Sequence, residues 1–223
     1  MNHHKEKGFT VVELLVAMTT MSVVVTAAFA FLFSEIDAQR FGVQLAHAQQ
    51  KTSLAMQRLT SDLRMAGHGC SSGDPVFDVA GCQEVCFWAA PYSDSLPRLV
   101  RYFLRQKSPQ HREKLLIRCT GRDTLGQVVS SHVIGFALDY LDADGVSLLR
   151  GPSGGPAVSP NLHLDDINLN GTKDIFDIRR ISIVIRTRTE KPRNGVFGTC
   201  ELKSEVAPRN LPIVASRGNI CSD

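Results

Sequence analysis

The sequence predicts an α+β protein, one long N-terminal helix, first apolar and then amphipathic, packed on antiparallel β-structure. Three observations predict it. An apolar run extends from Phe9 to Phe33, broken only by hydroxyl residues and a single acid, Glu13. Beyond it a stripe at Phe41, Leu45, Ala48, Thr52, Ala55, Leu59, Leu63 and Ala66 alternates threes and fours, the spacing of a helix with one face against a folded body. Past Gly67 the pattern changes to short period-two runs separated by Gly, Pro, Ser and Asp clusters, which read as strands and turns.

Residues 1–8 form a short leader in which Lys5, Glu6 and Lys7 precede Gly8. At 1.5 Å per residue, Phe9 to Phe33 spans about 38 Å, enough to cross a hydrocarbon core of about 30 Å. A carboxylate inside such a span costs about 2.5–3.5 kcal/mol, so Glu13 calls for a partner or a purpose. A secretory signal peptide cleaved after Ala28-Phe29-Ala30 is the bland alternative, but it needs an apolar core of only about 7–15 residues and leaves Glu13 unexplained.

Residues 34–67 continue the helix, with Arg40, Gln44, Lys51, Arg58 and Asp62 on its wet side, and Gly67 and Gly69 end it. No proline lies between Gly8 and Gly67, and Gly42 is the one weak point. From Cys70 to about Ser95 the composition suggests a loop with one strand. Leu99 to Leu104 and Leu115 to Cys119 form a hairpin with a long turn, and Val128 to Tyr140 supplies one or two strands. Asp142 to Gly145 is a turn, residues 151–160 are a loop, and the clearest strand alternates Ile181, Ile183 and Ile185 with Ser182 and Val184. A last strand covers Cys200 to Val206. Residues 68–223 therefore form one β-rich domain, a suitable size for a single core.

The formal charge of +3 includes +1 from the leader, and nothing marks a polybasic surface for nucleic acid or lipid. Arg98, Arg101 and Arg105 could form a basic strip for DNA or an acidic surface, yet arginines in strands and turns are usually a solvated face. The sequence has no Gly-x-Ser-x-Gly elbow, no His-Glu-x-x-His and no phosphate loop, and its seven histidines are scattered. The reading is of a non-enzyme, because no residues meet the nucleophile, base and orienter requirements.

All six cysteines, Cys70, Cys82, Cys86, Cys119, Cys200 and Cys221, follow the apolar run. In an oxidising compartment disulfides are the default. Fifteen pairings are open, Cys200 with Cys221 being close enough to staple the C-terminal segment. Cys82-x-x-x-Cys86 could be a metal half-site, but no Cys/His pair stands near it. A calcium site is the expectation for residues 166–177. Asp166, Asn168, Asn170, Asp174 and Asp177 fall at positions 1, 3, 5, 9 and 12, Gly171 at 6, and the Thr172 carbonyl at 7. The loop ends in Asp177 rather than Glu, which resembles the dockerin variant. Its alternative is an Asx-rich turn.

Lys7-Gly8-Phe9-Thr10-Val11-Val12-Glu13-Leu14-Leu15 resembles the class III signal of type IV prepilins and type II secretion pseudopilins. The resemblance implies a type IV pilin fold, cleavage by a prepilin peptidase between Gly8 and Phe9, and N-methylation of Phe9. It implies that Glu13 pairs with the N-terminal amine of a neighbouring subunit during assembly. An α-amino group titrates near 8 and is charged at neutral pH. Residues 9–33 are then the transmembrane and filament-core half of the helix, and residues 34–67 its periplasmic half.

Within residues 53–69, Asp62-Leu63-Arg64-Met65-Ala66-Gly67 resembles the PilW-like minor pilins, and residues 136–145, 179–189 and 201–211 extend that similarity. It implies a minor pilin that helps to prime pilus assembly at an inner-membrane platform and ends near the filament tip. Its implied partners are other minor pilins, the major pilin and a tip adhesin. The chain would be single-pass in the inner membrane with a periplasmic C-terminal domain, then extracellular. A J-type minor pseudopilin is the nearest alternative, and a DNA- or surface-binding module the alternative of another class.

Overall fold

The computed structural model describes residues 10–70, 76–90, 96–107, 113–121, 125–149 and 177–211. Helix α1 spans Val11–Arg64. Among the described residues seven strands follow: β1 (Phe77–Ala80), β2 (Glu84–Ala89), β3 (Arg98–Gln106), β4 (Lys114–Thr120), β5 (Gln127–Leu141), β6 (Arg180–Arg188) and β7 (Thr199–Val206). They form one antiparallel sheet in chain order, β1 to β7. This is the predicted α+β layout of a pilin fold. The chain divides into two compact units, Met1–Gln44 and Leu45–Asp223.

In the first unit, α1 exposes apolar side chains throughout, from Val11 and Leu14 to Phe31 and Phe33. Its hydroxyls are satisfied along the helix itself. Thr19 Oγ1 donates to the Val16 carbonyl at 2.9 Å, Ser22 Oγ to Thr19 at 2.8 Å, and Thr26 Oγ1 to Ser22 at 2.8 Å. Such back-bonding lets Ser and Thr sit in an apolar span without stranding a polar group.

In the second unit the helix is buried instead. Ala55, Leu59, Leu63 and Ala66 are fully covered, with Ala48, Thr52 and Met56 nearly so. The predicted stripe is therefore the packed face from Ala48 on, and Met56 joins it because four-residue steps widen the face beyond one column. Thr52 Oγ1 donates to the Ala48 carbonyl and meets Thr187 Oγ1 of β6, both at 2.6 Å. This buried pair ties the helix to the sheet. Gly67 (φ +80°) and Gly69 (φ +79°) end the helix in the left-handed region. A Cβ on Gly67 would lie 2.3 Å from the Asn210 carbonyl oxygen, so the C-terminal strand's exit crosses the helix end where only glycine fits.

Period two sorts the strands. Val85, Phe87, Val100, Tyr102, Leu116, Phe136, Leu138, Tyr140, Ile181, Ile183 and Ile185 face the helix and form the core. Phe77 packs against Phe87 and Tyr140, with ring centroids 6.2 and 6.4 Å apart. Residues 70–95 contain two strands, β1 and β2, where one was expected. The second is hidden in sequence because β1 is only four residues long and its Asp78 breaks the apolar run.

Residues 127–141 are a single strand serving two neighbours. Its first half pairs with β4 and its second with β6, Val133 opposing both Lys114 and Thr187. Register shifts accompany the change, and His132 there takes φ +57°. The β1–β2 turn closes on the freed edge of β5, where the Leu138 amide donates to the Cys82 carbonyl at 2.9 Å. The Tyr140 hydroxyl donates to the Gly81 carbonyl at 3.1 Å. The sheet is curled by these contacts.

Candidate functional site

Two regions bear on function, the start of α1 and the polar groups that hold the β-domain. At the start, Thr10 caps the helix. The Glu13 amide donates to Thr10 Oγ1 at 3.3 Å and the Leu14 amide to the Thr10 carbonyl at 3.2 Å. Thr10-Val11-Val12-Glu13 thus has the spacing of a capping box, in which an acid three places after a threonine also complements the positive helix end. Sequence reasoning missed this second use of Glu13, although the Thr-x-x-Glu signal was legible. Gly8 and Phe9 lie outside the described residues.

The Glu13 side chain is exposed on an apolar helix, and its carboxylate has no hydrogen-bond partner among the described residues. An acid there is available to a partner from outside the chain. Over residues 3–29 the chain matches the family described as the prokaryotic N-terminal methylation motif. That match supports a type IV prepilin-like N-terminus. No curated protein and no solved structure matches the chain. The motif is that of a type IV pilin or pseudopilin, a family of structural subunits that associate with other pilins and with pilus machinery. The prepilin-like chain's apolar helix is long enough to cross a membrane, and as an N-terminal segment it fits a single-pass anchor.

In the β-domain a polar node joins helix to sheet. Tyr102 donates its hydroxyl to Asp62 Oδ2 at 2.7 Å, Arg118 Nε donates to the same oxygen at 2.5 Å, and Arg58 stands 3.8 Å away. Burial, and then the Asp62 charge, push the Tyr102 phenol well above its ordinary value, so it stays a donor. Burial pulls Arg118 down, but its hydrogen bond to Asp62 and that charge outweigh this and raise it. Asp62 reads in sequence as part of the wet face. The missed signal is Arg118, which shares the parity of buried Leu116 and so points to the core side.

A second cluster stitches the β5 corner. Glu113 meets Arg188 Nη2 at 3.0 Å and His132 Nε2 at 3.4 Å, while the Arg188 guanidinium lies 4.3 Å from the Phe197 ring centroid. Burial raises Glu113, but the Arg188 hydrogen bond and the charges of His132, Arg188 and Lys107 outweigh it and hold its carboxyl below the ordinary 4.5.

The arginine strip is not assembled as expected. Arg101 and Arg105 share a parity on β3 that Arg98 does not, so the three do not line one face. Arg101 is also engaged, donating to Glu84 Oε1 at 2.6 Å. Of the calcium-loop residues, Asp166, Asn168, Asn170, Thr172 and Asp174 lie outside the described residues. Asp177 is half-buried just before fully buried Ile178.

Among the described residues Cys82, Cys86 and Cys200 form no disulfide with one another. Cys86 on β2 and Cys119 on β4 both oppose Arg101 on β3. Two strand spacings, about 9.6 Å, separate them, too far for a disulfide whose Cα atoms lie about 4.4–6.8 Å apart. Burial and then the Asp78 carboxylate push the Cys86 thiol up to about 12, so it is an inert packed group. Cys70 lies at the helix exit and Cys221 outside the described residues.

Proposed function

We propose that this prepilin-like chain is a PilW-like minor pilin, cleaved between Gly8 and Phe9, N-methylated at Phe9, and helping to prime type IV pilus assembly with a place near the filament tip. The observation that carries the reading is Glu13, a lone exposed acid near the start of an apolar helix, inside the methylation motif. In a filament core its carboxylate would meet the charged amine of a neighbouring Phe9. At low dielectric such a pair is strong while either charge alone is penalised, so pairing selects the register of assembly. The domain boundaries follow: leader 1–8, filament-core helix 9–33, periplasmic helix 34–67 and β-domain 68–223.

Glu13→Gln separates this role from helix capping, because glutamine serves a capping box as well as glutamate but carries no charge. The variant should insert and be cleaved, yet enter filaments poorly. If filaments take it up like wild type, charge pairing is wrong. The Leu63-to-Gly67 helix ending favours a pilus over a J-type secretion pseudopilin, and the secreted or surface location of the assembled filament distinguishes the two.

Calcium at Asp166, Asn168, Asn170, Thr172, Asp174 and Asp177 belongs to the same proposal. It predicts that millimolar calcium raises the melting temperature of the chain and that Asp166→Ala abolishes the rise. An unchanged wild-type melting temperature would leave the loop a turn. Disulfide pairing, including Cys200 with Cys221, is tested by the mass gained on reduction and alkylation.

A further inference from the structure

The connection between β6 and β7 is a braced hairpin. The amides of Arg193 and Val196 each donate to the other's carbonyl at 2.9 Å, and between them Asn194 and Gly195 take φ +50° and +79°, the two-residue turn that Asn-Gly favours. At its base the buried Thr189 hydroxyl accepts from the Gly198 amide at 3.1 Å and donates to the Lys191 carbonyl at 3.0 Å. The turn is therefore a fixed projection, and Val196 at its tip is 67 % exposed.

Contacts at the two ends of β6 give the hairpin its direction. Thr187, near the end of the strand, meets Thr52 of α1. Ile181, near its start, pairs with Val206 of β7, and soon after it the Arg209 amide donates to the Arg64 carbonyl at 3.4 Å. β6 thus runs against α1, and the turn points toward the Leu45 end of the packed helix, where the chain continues into the apolar segment. The Arg188–Glu113 bond brings the base of the β3–β4 hairpin to the same end, and the Lys107 amide donates to the Glu113 carbonyl there at 3.2 Å. With Glu113 engaged by Arg188, the exposed charges on the ends of these hairpins among the described residues are Arg105, Lys107, Lys191 and Arg193 against Glu190, a surplus of three cations. They come from hairpins far apart in the chain, so no basic run marks them in the sequence.

We propose that this end of the β-domain, the Asn194-Gly195 turn with Val196 and the cations of the two hairpins, docks on anionic phospholipid headgroups of the membrane that holds the apolar helix. The proposal rests on the reading of that helix as a membrane anchor. Chain lengths agree with it. From Thr52 back to Phe33 is about 28 Å at helical rise, and from Thr187 to Asn194 about 23 Å as extended strand. The difference of about 5 Å is covered by the headgroup layer, which adds about 5–7 Å on each side of the hydrocarbon core. Lysine and arginine are drawn to anionic headgroups within a Debye length, and an exposed valine on a rigid tip loses water contact by entering the interface. Nucleic acid would use the cations and leave Val196 in water, whereas a lipid surface uses both.

The experiment reconstitutes the full-length chain in phosphatidylcholine vesicles with or without phosphatidylglycerol, carrying a photo-crosslinking amino acid at Val196 or, as a control, at Leu96. Leu96 is 84 % exposed and has exposed Arg98 close by, but adjoining Pro97 lies against Gly69 at the other end of the packed helix. Vesicle flotation reports the anchor independently. The expected result is a phospholipid adduct from position 196 that requires phosphatidylglycerol, weakens about fivefold or more in Arg193→Glu, and is missing from position 96. Equal adducts at 196 and 96, an adduct at 196 indifferent to phosphatidylglycerol or to Arg193→Glu, or no lipid adduct from 196, whether or not the floated chain retains added DNA, would each overturn the headgroup contact and leave the anchor standing. A chain that fails to float would overturn both.

Discussion

The two stretches of α1 share one secondary structure and solve opposite problems. In residues 11–33 the apolar side chains are exposed and the hydroxyls of Thr19, Ser22 and Thr26 bond back to the helix's own carbonyls. In residues 48–63 the apolar side chains are buried, and Thr52 reaches outward to Thr187 while Asp62 accepts from Tyr102 and Arg118. The first stretch is built for a solvent with no hydrogen bonds to offer, the second for a protein interior that supplies partners. Helicity alone distinguishes neither; the destination of each polar side chain does.

Changes at matched depth should therefore act differently in the two stretches. All can be followed by denaturant unfolding of the full-length chain in detergent, using Trp88, the single tryptophan. The largest effect is expected from Asp62→Ala. Removing one partner of a buried ion pair costs about 3–5 kcal/mol, and Arg118 would be left behind sheltered and uncompensated. A loss below about 1 kcal/mol would mean that solvent reaches the node and screens it.

Leu59→Ala follows. A fully buried leucine should cost about 2–5 kcal/mol, whereas Leu15→Ala in the exposed stretch should leave the β-domain's unfolding midpoint where it is. Equal shifts from both would erase the comparison. Thr52→Val removes both of its buried hydrogen bonds, to the Ala48 carbonyl and to Thr187 Oγ1, and strands the Thr187 hydroxyl, for about 1–3 kcal/mol. The matching Thr26→Val should leave the midpoint alone.

The smallest effect concerns pH and the β5 corner. Glu113's folded pKa is lowered, so its contribution is present above the unfolded value near 4.5 and is lost as pH falls through the lower folded value. Wild type should lose stability across that acid window by a little more than Glu113→Gln does. Superimposable pH profiles would remove Glu113 from the corner's support.

Much of the fold was legible because it follows from periods. The stripe at Ala48, Thr52, Ala55, Leu59 and Leu63 and the alternation at Ile181, Ile183 and Ile185 report burial directly. The hairpin of β1 and β2 was harder to read because four residues carry too little pattern to set a period. The division of β5 between two neighbours depends on register, which no local signal encodes. The Asp62 and Glu113 clusters join residues far apart in sequence, so each charge read alone looks solvated. At the N-terminus the reverse holds. Glu13 stands out in sequence because its neighbours are so uniformly apolar, and the fold adds only the Thr10 cap.

The most direct measurement is the intact mass and N-terminal fragment spectrum of the chain recovered from membranes. The account predicts a mature protein beginning at Phe9, carrying one added methyl on its amine and retaining Glu13. A mature terminus at Phe31, after Ala30, would contradict it, because the acid and the apolar helix that carry the account would both have been discarded.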